Sequence, residues 1–208
     1  SRERREAQLA YVRATIEHFK SRQVIIRWQI ENEPEFFSSF GDCAYYDRTI
    51  LKEEIDLVKS LDATKRLLTL STTASGELST WLFEPKNLDI GFSVYRTVPN
   101  PLFKRIHYWF LPSWFYGRKI ALRTFLRGGS MYVSEFQMEP WINGDIKTAS
   151  FEESSITFDL KQMQDNFVFA SHLNVPSIDL WGAEWWYWMK TQKGHPEFWE
   201  EAKKTLGS

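Results

Sequence analysis

Helical and extended segments alternate along the whole chain, and that alternation narrows the fold more than any single motif does. Leu9, Val12, Ile16 and Phe19 recur at helical spacing over residues 6–20, and the apolar run from Val24 to Ile30 behind them predicts a buried strand. The pattern then predicts a helix over 48–61 (Leu51, Ile55, Val58), a strand over 67–72, a weaker helical turn near 78–84 and a strand over 88–95. An aromatic helical region broken by Pro112 follows over 102–126. A strand over 130–135, a helix over 153–173, a strand over 176–181 and a last helix over 196–206, with Pro196 at its first position, complete the series. Five strands, each followed by a helical segment, imply a parallel sheet covered by helices. No Gly/Ser/Pro-rich linker and no repeat interrupts the pattern, so residues 1–208 read as one domain.

Such a sheet is either open and doubly wound or closed into a barrel, and the strand faces discriminate between the two. Ile26, Trp28 and Ile30 alternate with Arg27, Gln29 and Glu31, Leu68 and Leu70 with Thr69 and Ser71, and Phe92 and Val94 with Ser93 and Tyr95. An open parallel sheet buries both faces under helices and reads as apolar on both. One polar face repeated over several strands favours a (β/α)8 barrel whose interior turns polar near an active site. A barrel of this kind has eight βα units in about 250 residues. The expected fold class is therefore α/β, a (β/α)8 TIM barrel of which about five βα units are present. Because the chain opens on a helix, the expectation is that three units lie upstream and that these strands are the fourth to the eighth.

Charge and composition exclude several function classes. With 26 basic and 27 acidic residues, no global field draws the chain to nucleic acid or to an anionic membrane surface, which leaves a neutral partner. Cys43 is the only cysteine, so an intrachain disulfide and a cysteine-based zinc site are excluded, and the four histidines lack metal-ligand spacing. No cofactor is implied. The opening Ser-Arg-Glu-Arg-Arg-Glu is hydrophilic and without a leading Met, which reads as a piece of a longer chain and leaves the compartment unknown. The aromatic segment 106–116 is interrupted by Pro112 and flanked by Arg105 and Arg118, so no membrane insertion is expected. Ten tryptophans exceed what core packing asks for, and an indole face suits a sugar ring as well as a core.

Two strand ends carry the chemistry. Trp28 to Pro34 reads W-Q-I-E-N-E-P, and Met131 to Trp141 reads M-Y-V-S-E-F-Q-M-E-P-W. In a closed barrel active sites form at the C-terminal ends of strands, and Glu33 and Glu135, three strands apart, would face each other across the mouth. Glycosidic cleavage needs such a pair, one acid to protonate the leaving oxygen and one carboxylate to attack or to activate water. Either glutamate alone would read as a solvated loop residue; the pair in a shared context is the specific signal.

These two motifs resemble the clan A glycoside hydrolases, the four/seven superfamily, in which N-E-P ends the fourth strand and a lone Glu the seventh. The resemblance covers essentially the whole chain by its order of elements. It implies retaining hydrolysis of β-linked carbohydrate, with Glu33 as general acid/base and Glu135 as nucleophile. By the same similarity Asn32 binds the hydroxyl beside the anomeric carbon, Tyr95 hydrogen-bonds the nucleophile, and Trp181 in I-D-L-W-G floors the sugar site. Without the resemblance, Tyr95 and Trp181 would read as packed core. A two-step retaining route asks the two carboxyls to stand about 5–5.5 Å apart.

The chain also departs from that family. The arginine and histidine usually drawn from the second and third strands have no counterpart here, so substrate positioning would need the missing N-terminal part of the barrel as a partner. Glu31 is expected to line the barrel, and Glu139 the cleft rim beside Trp141. Glu184 and Trp185, in the aromatic run to Trp188, form further sugar subsites or cap the barrel. A phosphate-binding barrel fits less well, because Gly128-Gly129 precedes a strand instead of following one. A non-catalytic carbohydrate-binding fragment is the remaining alternative.

Overall fold

The computed structural model describes residues 2–32, 48–63, 67–73, 86–100, 102–142 and 144–207. Glu33, Cys43, the helical turn expected near 78–84 and the side-chain alternation of the second strand lie outside the described residues. Contacts group the chain into two compact units, one of Ser1–Gly91 with Arg127–Ser130 and one of Phe92–Leu126 with Met131–Ser208.

The first unit opens with helix α1 (Arg2–Phe19), followed by strand β1 (Arg27–Gln29), helix α2 (Arg48–Leu61), strand β2 (Leu67–Thr73) and the first half of strand β3 (Asp89–Val94). Its hydrogen-bonded strand order is β1-β2-β3, with β1 parallel to β2. In α2, Leu51, Ile55 and Val58 fall at i, i+4 and i+7 and are all buried, so one stripe of the helix supplies the core. Each such side chain contributes about 1.5–3 kcal/mol. Ile16 is the buried residue of α1, and an ion pair between Arg5 and Glu53 joins α1 to α2. Trp28 Nε1 donates to Asp62 Oδ2 at 2.8 Å and ties β1 to the end of α2. The strand expected over 24–30 is shorter and less buried than the sequence suggests: Val24 is 87% exposed and Ile26 is exposed as well. An apolar run alone does not specify burial; a neighbour must cover it.

The second unit holds the rest of β3, a hairpin of β4 (Thr97–Asn100) and β5 (Lys104–His107), helix α3 (Ser113–Arg127, all but its last residue), and strand β6 (Met131–Gln137). Helices α4 (Phe151–Ser154) and α5 (Leu160–Ser171), strand β7 (Ile178–Trp181), helix α6 (Ala183–Trp188), a π turn over Met189–Lys193 and helix α7 (Glu197–Leu206) follow. The strand order is β3-β6-β7, with β6 parallel to β7. Phe92, Val94, Val133, Phe136, Met138, Phe158, Met163 and Phe198 are fully buried and form its core.

Two expected helices are reshaped here. Residues 97–107 pair as the antiparallel hairpin, Val98 opposite Ile106, where an aromatic helix was expected from 102 onward. The helix expected over 153–173 is interrupted at 155–159, and Asp159 caps the second piece by accepting from the Gln162 backbone N–H at 2.7 Å.

Candidate functional site

The site begins with an irregularity in β6. Val133 pairs with Ile178 and Phe136 with Leu180, so β6 spends one residue more than β7 between those two pairs, and the extra residue falls at Ser134–Glu135. A bulge of this kind breaks the strict alternation of faces and re-aims a side chain. On either side of it Val133, Phe136 and Gln137 are buried, while Ser134 and Glu135 are partly accessible.

Tyr95, the residue after β3, donates its hydroxyl to Glu135 Oε2 at 2.8 Å. Among the described residues this leaves Oε1 of Glu135 uncommitted. The Tyr95 ring stands edge-on to Trp141, with centroids 4.9 Å apart. The sequence residues Tyr95, Glu135 and Trp141 are thus brought together in one cluster.

Gln137 fixes the start of the hairpin beside this cluster. Its Oε1 accepts from the backbone N–H groups of Arg96 and Thr97 at 2.9 and 2.8 Å, and its Nε2 donates to the Thr97 carbonyl at 2.7 Å. The side chain therefore acts as a short piece of strand. Asn166 of α5, itself fully buried, donates to the Gln137 carbonyl at 2.7 Å. Neither residue stood out in the sequence. A glutamine two positions past a strand-end glutamate is the only available signal, and it acquires meaning only once residues 96–97 are known to lie opposite.

A second cluster forms at the end of β7. Trp181 Nε1 donates to Glu139 Oε1 at 2.9 Å, and the indole remains half exposed. Burial raises the pKa of Glu139; the Trp181 hydrogen bond opposes that shift and the charge of Glu184 adds to it. The next residue, Gly182, has φ +144°, and a Cβ there would stand 2.5 Å from the Met138 carbonyl oxygen, so only glycine allows this approach. The Met138 backbone is held from both sides: its N–H donates to the Trp181 carbonyl at 2.8 Å and its carbonyl accepts from Trp186 Nε1 at 2.6 Å.

Two expectations need correction. Trp185 is 4% exposed and packs edge-on against Phe158 and Phe198, so it has no face to offer a sugar and belongs to the core. Glu184, its neighbour, is exposed. Glu31 was expected to line a barrel; instead it is turned toward helices of the first unit, where Gln8 Nε2 donates to Glu31 Oε1 at 3.0 Å and to Glu54 Oε1 at 2.7 Å. Burial and the neighbouring Glu31 charge raise the pKa of Glu54. Asn32 is exposed, its Oδ1 lying 3.5 Å from Gln29 Nε2.

Among the described residues no group of three His, Cys, Asp or Glu side chains could hold a metal ion. Comparison with models of protein families, with curated proteins and with solved structures finds no match to this chain.

Proposed function

We propose that the chain is part of a retaining glycoside hydrolase of the clan A type, carrying strands four to eight of a (β/α)8 barrel, with Glu135 as nucleophile and Glu33 as general acid/base. The observation that supports the reading is the Tyr95 hydroxyl bound to one oxygen of Glu135 while the other stays uncommitted among the described residues. A phenol donating to one oxygen of a carboxylate fixes the rotamer from which the other attacks.

In the first step Glu135 Oε1 attacks the anomeric carbon, the bond to the leaving oxygen breaks, and the Glu33 proton passes to that oxygen. In the second, the Glu33 carboxylate takes a proton from water, the water oxygen attacks the same carbon, and the bond to Glu135 breaks. Two inversions give net retention. Asn32 would hydrogen-bond the adjacent hydroxyl, Trp181 and Trp141 would offer apolar ring faces, and Glu139 and Glu184 would accept from sugar hydroxyls. The substrate class is β-linked carbohydrate, and the parts upstream would supply the remaining positioning groups. No cofactor enters the scheme.

The test is a screen of aryl β-glycosides with NMR of the anomer first released. Retained configuration is expected, with a loss on the order of 10⁴-fold or more in Glu135→Ala. An inverted first product excludes the covalent route. Binding of oligosaccharide with no turnover, undiminished in Glu135→Ala, would make this a non-catalytic carbohydrate-binding domain.

A further inference from the structure

The chain's near-neutral total conceals a strong segregation of charge. None of its 27 acidic residues falls between Asp89 and Glu135, whereas Arg96, Lys104, Arg105, Arg118, Lys119, Arg123 and Arg127 all do. The expectation that no field draws the chain to an anionic membrane averages over that stretch.

Helix α3, within it, is inverted. A helix on a protein surface buries its apolar stripe and exposes its charges. Here Tyr116, Lys119 and Arg123 are buried, and burial pushes Lys119 down to about 8. Trp114, Leu122, Phe125 and Leu126 are the exposed ones, Phe125 at 86%, with the Arg118 guanidinium 4.8 Å over the Trp114 ring. Positions 114, 118, 122 and 125 share one face of a helix. The hairpin before it repeats the theme. At its tip Leu102 and Phe103 are 83% and 72% exposed, Lys104 and Arg105 follow directly, and Trp109 and Phe110 stand exposed after β5.

We propose that the β4–β5 hairpin tip and the outward face of α3 form a docking surface for an anionic lipid bilayer, inserting Leu102, Phe103 and Phe125 at headgroup depth while Lys104, Arg105 and Arg118 meet the phosphates. Apolar tips beside basic residues, with tryptophan between them, are what an interfacial binder presents. Among the described residues no helix is long and apolar enough to cross a membrane.

Other occupants fit the chemistry less well. A neutral glycan needs carboxylate or amide acceptors for its hydroxyls; residues 92–126 contain no Asp, Glu or Gln, and the Oδ1 of Asn100 already accepts from the Leu102 and Phe103 backbone. A polynucleotide has no use for exposed Leu102, Leu122 and Leu126, which offer no ring to stack on a base. Two copies meeting through this face would set like charges against each other. The proposal stands independently of the glycosidase reading, since vesicle binding is measured without turnover.

The experiment is co-sedimentation of the purified chain with phosphatidylcholine vesicles, with and without phosphatidylglycerol, at low and high salt. Binding to the anionic vesicles is expected, about tenfold weaker without phosphatidylglycerol or at high salt. The pair Leu102→Asp with Phe103→Asp should weaken it about a hundredfold and Phe125→Asp about tenfold, with thermal melting unchanged because these side chains are exposed. Absence of binding by the native chain, or equal binding by these variants, overturns the proposal. So does a native dimer that the variants dissociate and vesicles leave intact, or capture of an oligonucleotide that vesicles cannot displace.

Discussion

Glu31, just past β1, and Glu135, within β6, are both carboxyls near the end of a strand, yet they meet different neighbours. Glu31 meets an amide of α1 and a second carboxyl, Glu54 of α2, in a place where Glu54 is 1% exposed. Glu135 meets a phenol at 2.8 Å. A phenol O–H orients the carboxyl it donates to, whereas burial beside the Glu31 charge raises the pKa of Glu54. Position on a strand therefore does not assign the role; the group facing the carboxyl does. Glu31 ties strand to helices, and Glu135 stays partly accessible.

The largest effect expected from this contrast is a pH dependence confined to the first unit. Burial, then the Glu31 charge, pushes Glu54 from its ordinary 4.5 up to about 7, with the Gln8 hydrogen bond opposing. Between those values the folded chain holds a proton that the unfolded chain releases, so this contribution is fully present below about 4.5 and is lost as pH rises through 7, a change on the order of 3 kcal/mol. Gln8 of α1 donates to both carboxyls, and Glu53, next to Glu54 on α2, is ion-paired with Arg5 of α1. Glu54→Gln supplies a permanent donor, so melting of the variant and the native chain across pH 5–8, a window set by that shift, should diverge as pH rises. Parallel curves would mean Glu54 does not keep its proton in the folded chain.

Next in size is Gln137→Ala in the second unit. Three hydrogen bonds, two of them buried, are lost and the N–H groups of Arg96 and Thr97 are orphaned, for about 2–3 kcal/mol in chemical denaturation. A change below about 0.5 kcal/mol would show that the residues around Tyr95 hold their shape without the clamp. Smallest is Tyr95→Phe, which leaves the ring against Trp141 and removes only the hydroxyl. Stability should move by about 1 kcal/mol or less, while turnover of any glycoside substrate falls about 10–100-fold through a lower kcat. An unchanged kcat would reduce Tyr95 to a packing residue.

Much of this architecture was legible because it is local. The i, i+4, i+7 stripe of Leu51, Ile55 and Val58 announces α2 at its observed bounds, and Asp89–Val94 falls within the strand read from its sequence. The hairpin was not, since Phe103, Tyr108 and Trp109 suit a helix as well as a strand until Val98 is seen opposite Ile106. The 153–173 helix ran past its own cap signal at Asp159 because Ile156 and Phe158 continued the apolar rhythm. Tyr95, Glu135 and Trp141 came through the motifs and the resemblance they carry. Gln137 did not, because its three partners are backbone atoms 40 or 41 residues away. Trp185 misled for a related reason: in a run of aromatics, which rings turn inward depends on Phe158 and Phe198, and no spacing encodes that.

The extra residue at Ser134–Glu135 uncouples two demands that a regular strand would lock together. In an uninterrupted strand, rotating one side chain toward solvent rotates every second neighbour with it, so an accessible carboxyl and the hydrophobic filling beneath it could not vary separately. Here the interior lattice of β6 can be redesigned without disturbing the aim of Glu135. Shortening the segment by a single residue would instead shift Phe136, Gln137 and Met138 half a period and exchange their inward and outward faces at one stroke.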